Sequence, residues 1–346
     1  MNFIGSLTSN TQFRIPHSAF RIPHSAFQLI MLTIANAQSK FILAGEHFVV
    51  DGAPSVVIPA SCFSTQVSLV DQVEQSITAS CIFECEQPEL SEHRKEYEDL
   101  VIDLLHRGAR ILGIELKGVG LRCLVKSNIP PGQGAGSSSA LCQGIAEVLL
   151  KHFIANDIHP NYLKWFGTAL ENDWHGPVSG IDNAAIAYRR PLFYQRNTLT
   201  DPIKVPCPLF FVVGTTGART GKPYEIYRNL RDKSPGQYQK VRRQIEDNAN
   251  ELRDALINGD LYLIGQMMDA SQWLMKRMGL STSKIDEAAE KANSLGAFGS
   301  RMTGAGCGGF VIALASIDTA EVIQLAWIDM GLKSVRTLQI GDFAFG

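Results

Sequence analysis

The stretch Pro130-Pro131-Gly132-Gln133-Gly134-Ala135-Gly136-Ser137-Ser138-Ser139-Ala140 reads as a glycine-rich loop that runs straight into a helix. Glycines at alternate positions remove Cβ atoms and admit dihedrals that other residues resist. The backbone can then approach an anion closely. The serines fall where the helix begins, with its free N–H groups and its positive dipole end. Such a turn is suited to phosphate. The loop lacks the Lys-[Ser/Thr] ending of a Walker A loop, and Ser137 stands where a G-x-G-x-x-G fingerprint needs its third glycine. Taken alone, it reads equally well as a plain loop before a helix.

Working outward, Leu141, Ile145, Val148, Leu149 and Phe153 recur at helical spacing. Upstream, Lys40–Leu43, Ser55–Ile58 and Thr65–Val70 read as strands, Glu92–Leu112 as a helix and Glu115–Val125 as an alternating strand. Asn161–Asp173 reads as a helix ending near His175-Gly176-Pro177. Beyond the proline-rich stretch Pro202–Pro208, Leu209–Val213 is an apolar strand. Helical stretches follow at Gln237–Ile257, Asp260–Met278 and Ser283–Ser294. A second glycine-rich run, Gly299–Gly309, precedes a strand at Phe310–Ala315, a helix at Thr319–Met330 and a strand at Val335–Ile340. Long helices cluster in the second half, which favours two α+β domains over one doubly wound sheet.

The 346 residues suffice for two domains, and 45% hydrophobic residues support a real core. A net charge of −2 makes no electrostatic case for nucleic acid or an anionic membrane. No run of about 20 apolar residues suggests a membrane span. The seven cysteines show no metal-like spacing and read as a reduced, cytoplasmic protein. Between Phe13 and Ala26 the heptapeptide Phe-Arg-Ile-Pro-His-Ser-Ala occurs twice in direct repeat. Two such copies are too few and too short for a repeat architecture. The repeat reads as translated non-coding DNA ahead of a start at Met31. The rival reading is a signal peptide, with Arg14 and Arg21 before the apolar run Phe27–Ala35 and a cleavage-like Ala35-Asn36-Ala37.

Four segments carry a family resemblance. They are Lys40-Phe41-Ile42-Leu43-Ala44-Gly45-Glu46-His47-Phe48-Val49-Val50-Asp51-Gly52, the glycine-serine loop, Glu171-Asn172-Asp173-Trp174-His175-Gly176-Pro177-Val178-Ser179-Gly180-Ile181-Asp182-Asn183, and Gly304-Ala305-Gly306-Cys307-Gly308-Gly309. In this order they resemble the motifs of the GHMP kinases, named for galactokinase, homoserine kinase, mevalonate kinase and phosphomevalonate kinase. The resemblance runs from Met31 to the carboxyl terminus. The first and third segments are most similar to the mevalonate kinase branch, since Lys40 replaces the Arg of galactokinases and apolar residues follow His47. Departures are Ala135 for a usual Leu, Ser139 for an Ala, Cys307 within the glycine run, and Asp51 where Tyr or His is common. Asp51 would add a carboxylate near the pocket.

The resemblance implies a two-domain α+β GHMP fold. Residues 1–30 would be a non-native or disordered extension. Residues 31–203 would form an N-terminal, βαβ-type ATP-binding domain and 204–346 a ferredoxin-like α/β domain, with the active site in the cleft between. It implies an ATP-dependent kinase converting mevalonate to 5-phosphomevalonate, with MgATP and a small alcohol as partners; a homodimer is compatible with it. Asp182 would be the general base and Lys40 would stabilise developing charge. Ser138 and Glu171 would ligate Mg²⁺. Pro131, Gly132, Gly134, Ala135, Gly136, Ser137 and Ser138 would hold the triphosphate, with Gly304, Ala305 and Gly306 on its other side. Glu46, His47, Thr215 and Thr216 would contact the substrate. Without the resemblance, Asp182 reads as a turn residue, Ser138 as a helix N-cap, and Lys40 and Glu171 as solvated charges. Other readings are a kinase of a sugar or of phosphomevalonate, a diphosphomevalonate decarboxylase, and a non-catalytic ligand sensor. The His-Gly segment speaks against the decarboxylase. The retention of Asp182, Lys40, Ser138 and Glu171 speaks against the sensor.

Overall fold

The strand that carries Lys40 is far longer than its apolar core suggests. In a computed structural model that describes residues 30–85 and 89–341, β1 spans Leu32–Ala44 and pairs antiparallel with β2, Ser55–Asp71. β2 unites the two runs that the sequence presents as separate strands. A register shift between Gln38 and Ser39 marks a bulge that lets the ladder bend without ending. The repeat at Phe13–Ala26 lies outside the described residues, as does the start of the apolar run Phe27–Ala35, whose end belongs to β1.

β3 (Ile77–Phe83), α1 (Glu89–Glu92), α2 (Arg94–Leu112) and β4 (Leu121–Ser127) form a βαβ unit whose strands pair in parallel. β4 starts six residues later than the alternation at Glu115 suggests. Gly118 turns the chain at φ 75°, and a Cβ on Gly120 would collide with the Gln72 and Glu74 carbonyl oxygens, so this stretch is a tight connection. α3 (Ser137–Phe153), α4 (Pro160–His175), α5 (Ile181–Tyr188), β5 (Leu192–Tyr194) and β6 (Asp201–Pro202) complete this half. The sheet runs β3-β4-β2-β5-β6, with β1 also paired to β2. Every residue of α3 from Ser139 to Leu150 is buried. A helix apolar on all sides belongs in a core, and α3 packs against β1, β2, α2, α4 and α5. Its N-terminus is therefore fixed in space.

The second half comprises β7 (Leu209–Thr215), α6 (Pro223–Lys233), α7 (Pro235–Asn258), α8 (Leu261–Arg277), α9 (Ser283–Ser294), β8 (Gly299–Met302), β9 (Phe310–Ala315), α10 (Ile317–Asp329) and β10 (Lys333–Ile340). Its antiparallel sheet runs β10-β7-β9-β8, the ferredoxin-like order. α6 has no clear apolar signature in the sequence, because Tyr227 is its sole buried side chain.

The two sheets share one apolar core. Phe41 of β1 packs 5.2 Å from Phe310 of β9, and Phe63 of β2 meets Phe310 edge-on at 5.4 Å. Leu43, Val56 and Ile58 pack in the same cluster as Phe211, Val213 and Ile312. A continuous hydrophobic join makes the cleft beside it a rigid one. Helix α8 lies as close to β8 as backbone allows, since a Cβ on Gly265 would collide with the Phe298 carbonyl. Gly265→Ala is expected to lower stability by about 1–3 kcal/mol, as overpacking does, seen as a lower urea midpoint. An unchanged midpoint would mean that the contact is looser than described.

Candidate active site

Strand alternation sorts the end of β1 into two environments. Phe41 and Leu43 enter the shared core, whereas Lys40 and Ile42 line a cleft of about 330 Å³. The Lys40 side chain is 3% exposed. Its ammonium lies 3.1 Å from Asp182 Oδ1 and donates to the Gly134 carbonyl at 3.1 Å. Asp182 sits in the first turn of α5, where the helix dipole favours a carboxylate. A Cβ on Gly136 would lie 3.1 Å from Lys40 Cε and 3.6 Å from Asp182 Oδ2. Lys40, the glycine loop and Asp182, far apart in the chain, therefore meet at one point.

Behind them is a buried polar network joining α3, α4 and α5. Glu171 Oε1 accepts from Ser138 at 3.0 Å and Ser139 at 2.8 Å, and Oε2 accepts from Asn183 at 2.6 Å. Gln143 donates to Asn183 at 2.8 Å. Burial pushes the Glu171 carboxyl above its ordinary range, with Asp182 adding to the rise and the three donors opposing it. Ser138 is not a helix N-cap, because that position is Gly136 in the left-handed region and no side chain caps α3. Ser138 and Ser137 instead line the cleft. Ser139, a departure from the family pattern in the sequence, is buried against Glu171 and faces away from the cleft.

The two glycine runs lie back to back. A Cβ on Gly304 would come within 3.0 Å of Gly134 Cα, and one on Gly309 would strike the Gln133 carbonyl. Gly304 and Ala305 line the cleft, while Gly306 packs on the Leu280 carbonyl. Ala135 points its side chain into the core and gives its carbonyl to Ser39 at 2.6 Å.

His47, at φ 62°, places Nε2 2.7 Å from the Ala305 carbonyl and stacks on Tyr227 at 5.5 Å. A carbonyl only accepts, so Nε2 carries the proton and Nδ1 keeps its lone pair. Burial lowers the imidazole below its ordinary value, helped by the Arg219 charge and opposed by the Ala305 bond. Glu46 is buried and ion-paired with the fully buried Arg301 at 2.5 Å. Arg219, which nothing in the sequence singled out, brings a guanidinium to the same cleft. Its place four residues after β7 is the one signal the sequence carries for it.

Two expectations fail geometrically. Thr215 and Thr216 are absent from the cleft wall; Thr215 donates to Gln133 Oε1 at 2.5 Å and Thr216 to the Gly309 carbonyl at 3.1 Å. They brace the glycine runs, because β7 ends beneath those loops and not beside the opening. Asp51 does not add a carboxylate to the pocket. It accepts from the Tyr227 hydroxyl and, at 2.7 Å, from Tyr238. Burial raises its pKa, but the two hydroxyls with Arg231 and Arg242 outweigh this and hold it below the ordinary range.

A second, largely apolar cavity of about 300 Å³ adjoins the cleft and shares Gly132, Ser137 and Ser138 with it. Phe83, Tyr97, Val101, Val125, Leu141 and Trp174 line it, and Pro131 opens on this side alone. Among the described residues, no cluster of three His, Cys, Asp or Glu forms a resident metal site. No helix among them is long and apolar enough to cross a membrane.

Comparison with known proteins agrees with this arrangement. The model of the GHMP kinases N-terminal domain matches residues 99–190, and that of the GHMP kinases C-terminal domain matches residues 252–332. A mevalonate kinase of Pyrococcus horikoshii is 27% identical over 328 residues, covering 89% of this chain and 96% of its own. A galactokinase of Pyrococcus furiosus is 29% identical over 237 residues, covering 59% and 67%. In structure, L. major mevalonate kinase crystallised with R-mevalonate superposes with a TM-score of 0.77 at 23% identity, covering 88% of this chain and 95% of that one.

The histidine geometry has a measurable consequence. In long-range ¹H–¹⁵N NMR, His47 is expected to hold its proton on Nε2 at pH 7 and to titrate below about 6.5, the ordinary histidine value. The folded state then binds this proton more weakly than the unfolded chain. Stability from this group is present above the ordinary value and is lost as pH falls through it towards the folded value. An imidazolium at pH 7 would contradict the assignment.

Proposed function

The chain belongs to the GHMP kinase family, a phosphotransferase acting on an alcohol group, and from that premise we propose that it phosphorylates the primary hydroxyl of mevalonate with MgATP. The observation that carries this reading is the Lys40–Asp182 pair at 3.1 Å beside the glycine loop. The acceptor hydroxyl would lie against Asp182, which takes its proton as the oxygen attacks the γ-phosphorus and ADP leaves. Lys40 would offset negative charge on the transferring group. The loop from Gly132 to Ser138 would supply backbone N–H groups, and positioning of this kind is most of what phosphoryl transfer asks of a protein.

Magnesium would arrive with ATP. Ser138, on the cleft wall, fits the sparse protein share of its ligands, with Glu171 buried behind it and accepting from that hydroxyl at 3.0 Å. When bound, the ion would supply neutralisation of phosphate charge. The apolar cavity lined by Val101, Leu141 and Trp174 would take the nucleotide base, since it adjoins the serines and offers aromatic faces.

Mevalonate is favoured over a sugar by the cleft wall. Ile42, Val49, Val50 and Ile181 supply apolar surface suited to a methyl-bearing chain, and Arg219 supplies a cation for a carboxylate. A polyhydroxylated sugar would leave much of that wall unmatched.

Purified protein with MgATP should release ADP when mevalonate is added and little with galactose; no response to mevalonate would sink the reading. Asp182→Asn should lose about 10²–10⁴-fold in kcat, the range for a general base, with ATP binding retained. Near-normal turnover by this variant would remove Asp182 from its role. ATP binding should also change Trp174 fluorescence, a signal absent from Trp174→Phe. An ATP titration that leaves that emission unmoved would place the base elsewhere.

A further inference from the structure

Asp51, which departs from the family pattern, ties one wall of the cleft to the second half of the chain. It ends a single 3₁₀ turn, Phe48–Asp51, directly after Glu46 and His47. Val49 and Val50 of that turn line the cleft. From α6 the Asp51 carboxylate accepts the Tyr227 hydroxyl and lies 3.7 Å from Arg231. From α7 it accepts the Tyr238 hydroxyl at 2.7 Å. Phe48 meets the Tyr227 ring edge-on at 5.2 Å and stacks on Tyr238 at 5.3 Å.

Two groups of the cleft depend on Tyr227. The first is His47. A residue other than glycine at φ 62° persists only where its surroundings hold it. The Ala305 carbonyl holds one nitrogen of the ring, and the Tyr227 ring, tilted 22° from it, covers its face. The Tyr227 hydroxyl then returns to Asp51, so ring, hydroxyl, carboxylate and turn close a circuit on His47. The second group is Arg219. Its loop is fixed at Thr220, whose N–H donates to the Cys307 carbonyl at 2.8 Å. Beyond Thr220 the chain enters α6, and Tyr227 is the sole buried side chain of that helix. Half-buried Ile226 and Leu230 stand beside it.

We propose that Asp51 is a positioning residue for the acceptor molecule: by bonding Tyr227 it fixes the His47 ring and seats α6, which sets Arg219 in the cleft wall. This rests on reading the cleft as the mevalonate site. A buried tyrosine hydroxyl without an acceptor is costly, so loss of the carboxylate shifts Tyr227 and does not leave it in place. The Tyr238 hydroxyl, 3.4 Å from that of Tyr227, is a poor substitute. The cluster belongs to the turn, α6 and α7. The nucleotide reading rests instead on Gly132–Ser138 and the apolar cavity beside them, so the effect falls on the acceptor and not on ATP.

The test uses the whole chain with MgATP and mevalonate. Asp51→Ala should lower kcat/KM for mevalonate by about 10–100-fold, the scale of a displaced binding group. The loss should lie chiefly in KM, with the KM for ATP within about twofold of wild type. Asp51→Asn keeps an acceptor oxygen for Tyr227 and should recover most of the loss. Tyr227→Phe keeps the ring and removes the bond, so it should raise the KM for mevalonate in the same way. It leaves no buried hydroxyl unmet at that position and carries the test where Asp51→Ala folds poorly. The double variant Asp51→Ala/Tyr227→Phe should be no worse than the poorer single variant, since both changes break one bond. In long-range ¹H–¹⁵N spectra, His47 of Asp51→Ala should lose its single Nε2-protonated form and show both tautomers. Additive losses, or a wild-type KM for mevalonate in both single variants, would overturn the inference and leave the mevalonate reading intact. No ADP from wild type with mevalonate would overturn that reading; the His47 spectra then decide the inference, and an unchanged His47 in Asp51→Ala would overturn it.

Discussion

An ammonium that is almost wholly out of water must be paired, and the Lys40 ammonium is the group around which this molecule is arranged. Its side chain is 3% exposed, and its partners are one carboxylate and one carbonyl. A buried charge without such partners would cost several kcal/mol. Each partner comes from a different element. Lys40 lies on β1, Gly134 precedes α3, and Asp182 opens α5. The pairing can therefore exist only if β1, α3 and α5 hold their mutual positions. The buried helix α3 and the Glu171–Asn183–Gln143 network behind it supply that rigidity.

The same strand shows how one element serves both core and site. Period-two alternation sends Phe41 into contact with Phe310 and Lys40 into the cleft. A slip of one residue would exchange them, burying the charge in hydrocarbon and exposing the phenyl ring. The aromatic contacts of Phe41, Phe63 and Phe310 thus fix the register on which Lys40 depends. The second glycine run meets the first by a related logic. Gly304 packs on the Gly134 backbone, and both sit at positive φ, so a side chain at either position would be strained.

Much of this is legible in the sequence, and where the structure differs the cause is physical. The helix after the glycine loop begins at Ser137 as its spacing suggests. In the sequence β2 presents as two strands because Pro59 and the polar residues around Ser61 and Ser64 resemble a break, yet pairing with β1 carries the ladder through. α6 has no clear apolar pattern in the sequence, because charged residues are spread through it and just one of its side chains is buried. The resemblance puts Thr215 and Thr216 near the substrate, but a place just after a strand cannot tell a loop brace from a cleft wall. Arg219, three residues further on, lines the cleft instead.

By itself the sequence determined the residue types and their order: a glycine loop before a buried helix, a lysine on an apolar strand, an acid at the start of a short helix. It determined them because periodicity and backbone freedom are local properties, readable within a dozen residues. Which of these groups meet was decided by tertiary structure alone. The 3.1 Å contact of Lys40 with Asp182, the turning of Asp51 towards two tyrosines, and the pairing of Glu46 with Arg301 each depend on residues more than 100 positions apart. Burial and distance across such separations arise from packing the whole chain, so no local pattern records them.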